Sequence, residues 1–299
     1  MAVGEPEPER TSRAGRNLSA ALIVGIALFA VVVAALFLWP PGVVLLLALL
    51  VALGATEVAH ALRRVGMNPT VVPVAISAAA IVLSAYVSAL TAPSAPLLPA
   101  PVGPVLRWGV VGLAVIWCLA WRMTRGAQGY ARDAAASVFI VGYLGVLASF
   151  VGLIIALPDG QWKLAVAFCC VVGSDTGGYI LGATLGKHPM APKISPKKTW
   201  EGMVGSVLLA GAVGIVLTVV VLHLPWWLGL VLALLMVVFG TLGDLVESLI
   251  KRDVGIKDMS SVLPGHGGIM ERLDSMLFAM PVAYLVFFAY LWWQISAAP

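Results

Sequence analysis

Charge is the first thing this sequence is short of. Only 11% of its 299 residues are Asp, Glu, Lys or Arg, where a water-soluble domain carries roughly a quarter. With 61% hydrophobic residues and a mean hydropathy of +1.02, the chain has more apolar surface than one soluble core can bury. Cysteine is scarce too: Cys118, Cys169 and Cys170 lie inside apolar runs, with no CxxC spacing. That excludes a disulfide framework and a cysteine zinc site, and leaves thiols that pack as small hydrophobes. A short apolar stretch ending in a cleavage site is missing, so no cleavable signal peptide is expected. Alternating ten-residue segments are missing as well, which excludes a transmembrane barrel.

What the sequence has instead is helix-length apolar runs, at roughly 18–39, 42–62, 70–90, 104–121, 134–157, 162–183, 202–223, 226–250 and 273–294. About 20 such residues span the hydrocarbon layer, and backbone polar groups in lipid must pair within the helix. The expected fold is therefore all-α, a polytopic membrane bundle of about nine helices. Breaks fall at Trp39-Pro40-Pro41-Gly42, Asn68-Pro69, the Pro-rich stretch 91–104 and Pro158-Asp159-Gly160. Residues 1–17, polar and rich in Glu, Pro and Arg, read as a disordered cytoplasmic tail. Helices one to four and a cytoplasmic loop occupy 18–133; helices five to nine occupy 134–299 and carry two polar loops, 184–201 and 251–272.

The net charge of +4 and pI near 9.1 do not signal nucleic acid, because the basic residues follow membrane topology. With nine helices and the N-terminus inside, every Lys and Arg except Arg107 and Lys163 falls on the inner side. This predicts a multi-pass protein of the cell membrane, its C-terminus outside and its polar loops facing the cytoplasm.

Carboxylates inside apolar runs cost about 2.5–3.5 kcal/mol each at a helix centre, so they mark a cavity, a partner or an ion. Four stand out: Glu57, Asp175, Asp244 and Glu247. An interhelical ion pair or hydrogen-bonded helix contact accounts for such a group taken singly, and is the favoured reading for Glu57, with His60 nearby. In the eighth run, however, Asp244, Glu247, Ser248 and Lys251 fall at i, i+3, i+4 and i+7, on one helix face. With Asp175 at a similar depth, that face reads as a polar cavity open to the cytoplasm.

The loops supply the opposite charge. Lys193 to Gly202 places three ammonium groups and two hydroxyls before the seventh run, where a helix N-terminus also suits phosphate. Ordinary inner-side charge explains that segment alone nearly as well. Glu271 and Asp274, at i and i+3, can face one ion, and oxygen ligands suit Mg²⁺ bound with substrate phosphates. Gly-His-Gly-Gly (265–268) reads as a backbone turn against a phosphate chain rather than a metal site. The combination reads as metal-assisted phosphoryl or nucleotidyl transfer.

At these residues the chain resembles the phosphatidate cytidylyltransferase (CDP-diacylglycerol synthase) family. The family signature is Ser-x-x-Lys-Arg, four residues, Lys-Asp, then Pro-Gly-His-Gly-Gly, two residues and Asp-Arg-x-Asp. Ser248, Lys251, Arg252, Lys257, Asp258, Pro264, Gly265, His266, Gly267, Gly268, Arg272 and Asp274 stand in register. Segments 174–179 and 195–202 are also similar, so the resemblance covers roughly 170–275.

The resemblance implies CTP and phosphatidate as substrates, a membrane-lipid product, Mg²⁺ and a homodimer, and leaves open a second, monovalent cation. It implies Asp244 and the position of Glu271 as metal ligands. Asp175, Lys251, Arg252, Lys257, Asp258, His266, Arg272 and Asp274 take catalytic roles, and Ser195, Lys197, Lys198, Thr199, Ser248, Gly265, Gly267 and Gly268 bind substrate. One position departs: Glu271 stands where the family has Asp, with a methylene that moves its oxygens by about 1 Å. On the metal-ligand reading, Glu271→Asp preserves or raises activity. A related lipid nucleotidyltransferase or polyprenol kinase remains an alternative within the enzyme class. A transporter fits less well, because the polar chemistry lies in one half of the chain and on one side. No residue of the first five helices is assigned a role.

Overall fold

The computed structural model describes residues 30–90, 102–260 and 267–297. Among them, eight helices are long and apolar enough to cross a bilayer, and the chain is a helical membrane bundle. The described end of the first apolar run, residues 30–38, is helical (α1). The spanning helices are α2 (Pro40–Leu62), α3 (Val71–Ala89), α4 (Val102–Met123), α5 (Tyr130–Ile155), α6 (Gly160–Leu185), α7 (Trp200–Val220), α8 (Trp226–Asp253) and α9 (Met270–Ala297). The segment expected to be disordered, 1–17, lies outside the described residues.

Local chemistry sets the ends. Pro40 and Pro41 occupy the first positions of α2, where their missing N–H groups would have no helical partner anyway. Thr199 caps α7, its Oγ1 accepting from the Gly202 amide at 3.1 Å. Within α5 the turn Val141–Val146 is π-helical.

One segment differs from the all-helical expectation. Residues 184–201, read as a polar loop, fold in part as an antiparallel hairpin of β1 (Pro189–Ala191) and β2 (Ser195–Thr199). Pro189 pairs with Thr199 and Ala191 with Ser195, with an irregularity between. The hairpin makes Ser195 to Thr199 a short paired strand.

Helices α2, α3 and α5 pack together, and α9 lies against α5 and α8. The chain-consecutive helices α6, α7 and α8 form the other layer, and glycines let their backbones touch. A Cβ added at Gly177 would sit 2.2 Å from the Gly205 carbonyl, and one at Gly205 would sit 2.3 Å from the Gly177 carbonyl. The α7–α8 crossing repeats the arrangement at Gly214 and Gly229. In lipid, such small-residue contacts replace the hydrophobic force that joins helices in water. Ser206 reinforces the first crossing, donating to the Ser174 carbonyl at 2.7 Å.

Gly177→Ala should therefore push α6 from α7 and destabilise the fold by about 1–3 kcal/mol, the usual range for overpacking. Thermal unfolding of the purified chain in detergent measures it; an unchanged midpoint would mean that the crossing is looser than described.

Candidate active site

The hairpin and three helices enclose a cavity of about 380 Å³, within the range of small-ligand sites. Helix α6 contributes Ser174, Asp175, Gly178 and Tyr179; β2 contributes Ser195, Lys197, Lys198 and Thr199, the last also the α7 N-cap; α8 contributes Thr241 and Asp244. Gly202, Met203 and Ser206 of α7 and Met190 of β1 complete the wall. One side is thus cationic and hydroxylated, the other carboxylate. The Lys198 ammonium bridges them, lying 2.5 Å from Asp244 Oδ2. Ser248, one turn along α8, donates to Asp244 Oδ1 at 3.4 Å.

Behind Asp244 the α8 and α9 backbones meet. A Cβ at Gly243 would fall 2.4 Å from the Asp274 carbonyl, so only glycine allows this approach. The contact brings Asp244, Glu247 and Asp274 together, with one carboxylate oxygen of each within 4.8 Å of the others. Glu247 is fully buried; its Oε2 pairs with the Lys251 ammonium, and its Oε1 has no hydrogen-bond partner among the described residues. Three clustered carboxylates with a partnerless buried oxygen are a donor set that suits a hard divalent cation.

Glu271, in the first turn of α9, is engaged differently. Its Oε1 accepts from the Met259 amide at 2.6 Å and its Oε2 from the Gly268 amide at 2.9 Å. Lys251 Nζ lies 3.7 Å from Oε1, linking Glu271 to Glu247 through one ammonium. Glu57 of α2 reaches the same place from the other half of the chain. It accepts from Ser260 Oγ, from the Ile269 amide at 3.0 Å and from the Met270 amide at 2.9 Å. The hydrogen-bonded helix contact expected of Glu57 is what the structure shows.

A sequence model described as the cytidylyltransferase family matches residues 19–290. The chain belongs to the cytidylyltransferase family. Among its relatives, the phosphatidate cytidylyltransferase of Mycobacterium leprae is 38% identical over 294 residues, spanning 92% of this chain and 89% of the relative. That of Mycobacterium tuberculosis is 36% identical over 289 residues, spanning 92% and 84%. A Staphylococcus epidermidis phosphatidate cytidylyltransferase is 42% identical over 151 residues, half of this chain and 57% of the relative. The family match begins at residue 19, so it takes in the N-terminal helices that the signature did not reach.

In this cytidylyltransferase-family chain the expected site residues are spread over several places. Asp175, Ser195, Lys197, Lys198, Thr199 and Asp244 line the cavity. Ser248, Lys251 and Asp274 join the acidic group below it. Arg252 reaches the hairpin, its Nε 3.4 Å from the Ile194 carbonyl. Lys257 and Asp258 are exposed, with no ion pair among the described residues, and Arg272 is exposed on the first turn of α9. Gly267 adopts a φ of +79°, a backbone state that favours glycine, and Gly268 sits between two carboxylates. Gly265 and His266 lie outside the described residues.

One residue was under-read in the sequence. Glu247, noted on the Asp244 face but given no role, completes the acidic group; its i, i+3 spacing was the available signal. Glu271, expected with Asp244 as a metal ligand, lies outside the group of three that Asp244 forms with Glu247 and Asp274. The added methylene lets the Glu271 carboxylate fold back onto the amides at 259 and 268.

Proposed function

We propose that the chain transfers CMP from CTP to phosphatidate at the cytoplasmic leaflet, giving CDP-diacylglycerol and pyrophosphate with Mg²⁺. Family membership supports the reaction. One structural observation carries the reading to particular residues: a cavity lined by Lys197 and Lys198 is also lined by Asp244, which belongs to a cluster of three carboxylates. The inner-side bias of Lys and Arg supports the leaflet, a nine-helix chain with its N-terminus inside, and residence in the cell membrane. The family resemblance brings a homodimer into the reading.

Lys197 and Lys198 bind the triphosphate, while Ser195 and Thr199 supply hydroxyls for its oxygens. Arg252, held against the hairpin, and Lys257 add positive charge at the mouth. Asp244, Glu247 and Asp274 would hold the divalent cation, and Asp175 lines the same cavity as Asp244. When bound, Mg²⁺ neutralises triphosphate charge and stabilises the leaving pyrophosphate. A phosphatidate oxygen attacks the α-phosphorus in line, its new P–O bond forming as the α–β anhydride bond breaks. A phosphate monoester is largely dianionic near pH 7, its second pKa being about 6, so the side chains need only orient it.

Purified chain given CTP, labelled phosphatidate and Mg²⁺ should form labelled CDP-diacylglycerol, and EDTA should stop it. Turnover that persists in EDTA would remove the cation from the reading. Phosphorylation of a polyprenol by ATP, without liponucleotide, would replace the reading altogether.

A further inference from the structure

The connection from α8 to α9 is gripped at both described ends by two carboxylates from opposite halves of the chain. Glu271 holds the amides of Met259 and Gly268; Glu57 holds Ser260 and the amides of Ile269 and Met270. Gly268 lies where they converge. A Cβ there would be 2.7 Å from Glu271 Oε2, 2.8 Å from Glu57 Oε2 and 2.9 Å from Ser260 Oγ. Only glycine lets both carboxylates close on the backbone.

The amides that Glu57 takes are those with no partner inside a helix, at the N-terminus of α9. A negative charge is favoured there by the helix dipole. Glu57 is itself buried, at 7% exposure, on a helix 212 residues earlier in sequence than the Ile269 amide it binds. Asp274 follows Met270 by one turn of the same helix, on the segment whose backbone touches Gly243. The direction and depth at which α9 begins therefore set where the Asp274 carboxylate stands.

We infer that Glu57 is a positioning residue for the reaction: acting with Glu271, it fixes the first turn of α9 and so registers Asp274 against Asp244 and Glu247. The inference rests on the proposed role of that acidic group. It gives the N-terminal half of the chain a stated part in the chemistry, and it gives the Glu271 side chain a structural use for its length. Glu57 is neither among the residues lining the cavity nor in the group of three carboxylates.

The test uses the full chain in detergent micelles, with Glu57→Gln as an isosteric variant and Glu57→Asp as a shortened one. Hydrogen exchange is followed in peptides covering 267–275, and kcat and KM for CTP are measured alongside. Glu57→Gln should speed exchange at the Ile269 and Met270 amides at least about 10-fold. It should lower kcat by about 10–100-fold, the range for residues that support a metal's ligands, and leave KM for CTP within about 3-fold. Glu57→Asp should show the same pattern more weakly if the carboxylate recovers one amide. The same exchange measurement in an Asp274→Asn background reads the grip even where activity is already lost. Unchanged exchange in Glu57→Gln would overturn the grip. Faster exchange with full kcat would overturn the positioning role while leaving the proposed function standing.

Discussion

Asp244→Ala is expected to lower CDP-diacylglycerol formation by well over about 100-fold, the upper end for residues that merely support metal ligands. Among the described residues, Asp244 is the one carboxylate that both lines the cavity and belongs to the acidic group. In the proposed reading it therefore sits where nucleotide and cation would meet. Its loss would strip an oxygen ligand from the cation and leave Lys198 without its 2.5 Å partner. The fold should tolerate the change, because Asp244 is part-exposed to the cavity and its other contact is a long bond from Ser248. Single-turnover assays with saturating CTP separate chemistry from binding. Near-normal turnover at any Mg²⁺ concentration would mean that the acidic group is an internal salt-bridge cluster and that the chemistry lies elsewhere.

Lys198→Ala produces two effects of opposite sign. It removes a cation that competes for Asp244, which favours Mg²⁺ binding. In the proposed reading it also removes a charge-assisted contact to triphosphate, worth about 1.5–3 kcal/mol, or roughly 10- to 150-fold at 1.4 kcal/mol per decade. The second dominates kcat/KM for CTP, which should fall by about 10- to 100-fold, while the Mg²⁺ concentration giving half-maximal rate stays level or drops. Titrating both ligands against initial rate separates the two. A rise in the Mg²⁺ requirement would show that Lys198 supports the cation site instead of competing with it.

Much of this arrangement was legible from residue order. The run 226–250 became helix Trp226–Asp253, and the i, i+3, i+4, i+7 spacing of Asp244, Glu247, Ser248 and Lys251 did place them on one face. Helical period and the length needed to cross lipid dictate both, and neither depends on distant partners. The hairpin at 189–199 was not legible: its strands are three and five residues long, carry two prolines and three lysine or threonine side chains in a row, and show no apolar alternation. Its shape comes from its own backbone ladder and from the Trp200 amide donating to the His188 carbonyl.

Glu57 and Glu271 show a second kind of limit. An acid inside an apolar run signals that something polar lies nearby, but spacing says nothing about a partner more than 200 residues away. Glu271 occupies a signature position, and position alone suggested a metal ligand. In the structure that carboxylate accepts from the backbone amides of Gly268, three residues before it, and of Met259, twelve residues before it, contacts that its position in the signature did not foretell. Glu271→Asp is accordingly expected to loosen the α9 start and lower kcat, the reverse of what the signature implied.

The most direct test of the central claim, that carboxylates from α8 and α9 share one divalent cation, is to locate the ion. Crystals of the full chain with CTP and Mn²⁺ should give an anomalous peak at about 2–2.5 Å from oxygens of both Asp244 and Asp274, and the peak should vanish in Asp244→Ala. A peak bound by Glu271 instead, or none while CTP is clearly seated, would contradict the account.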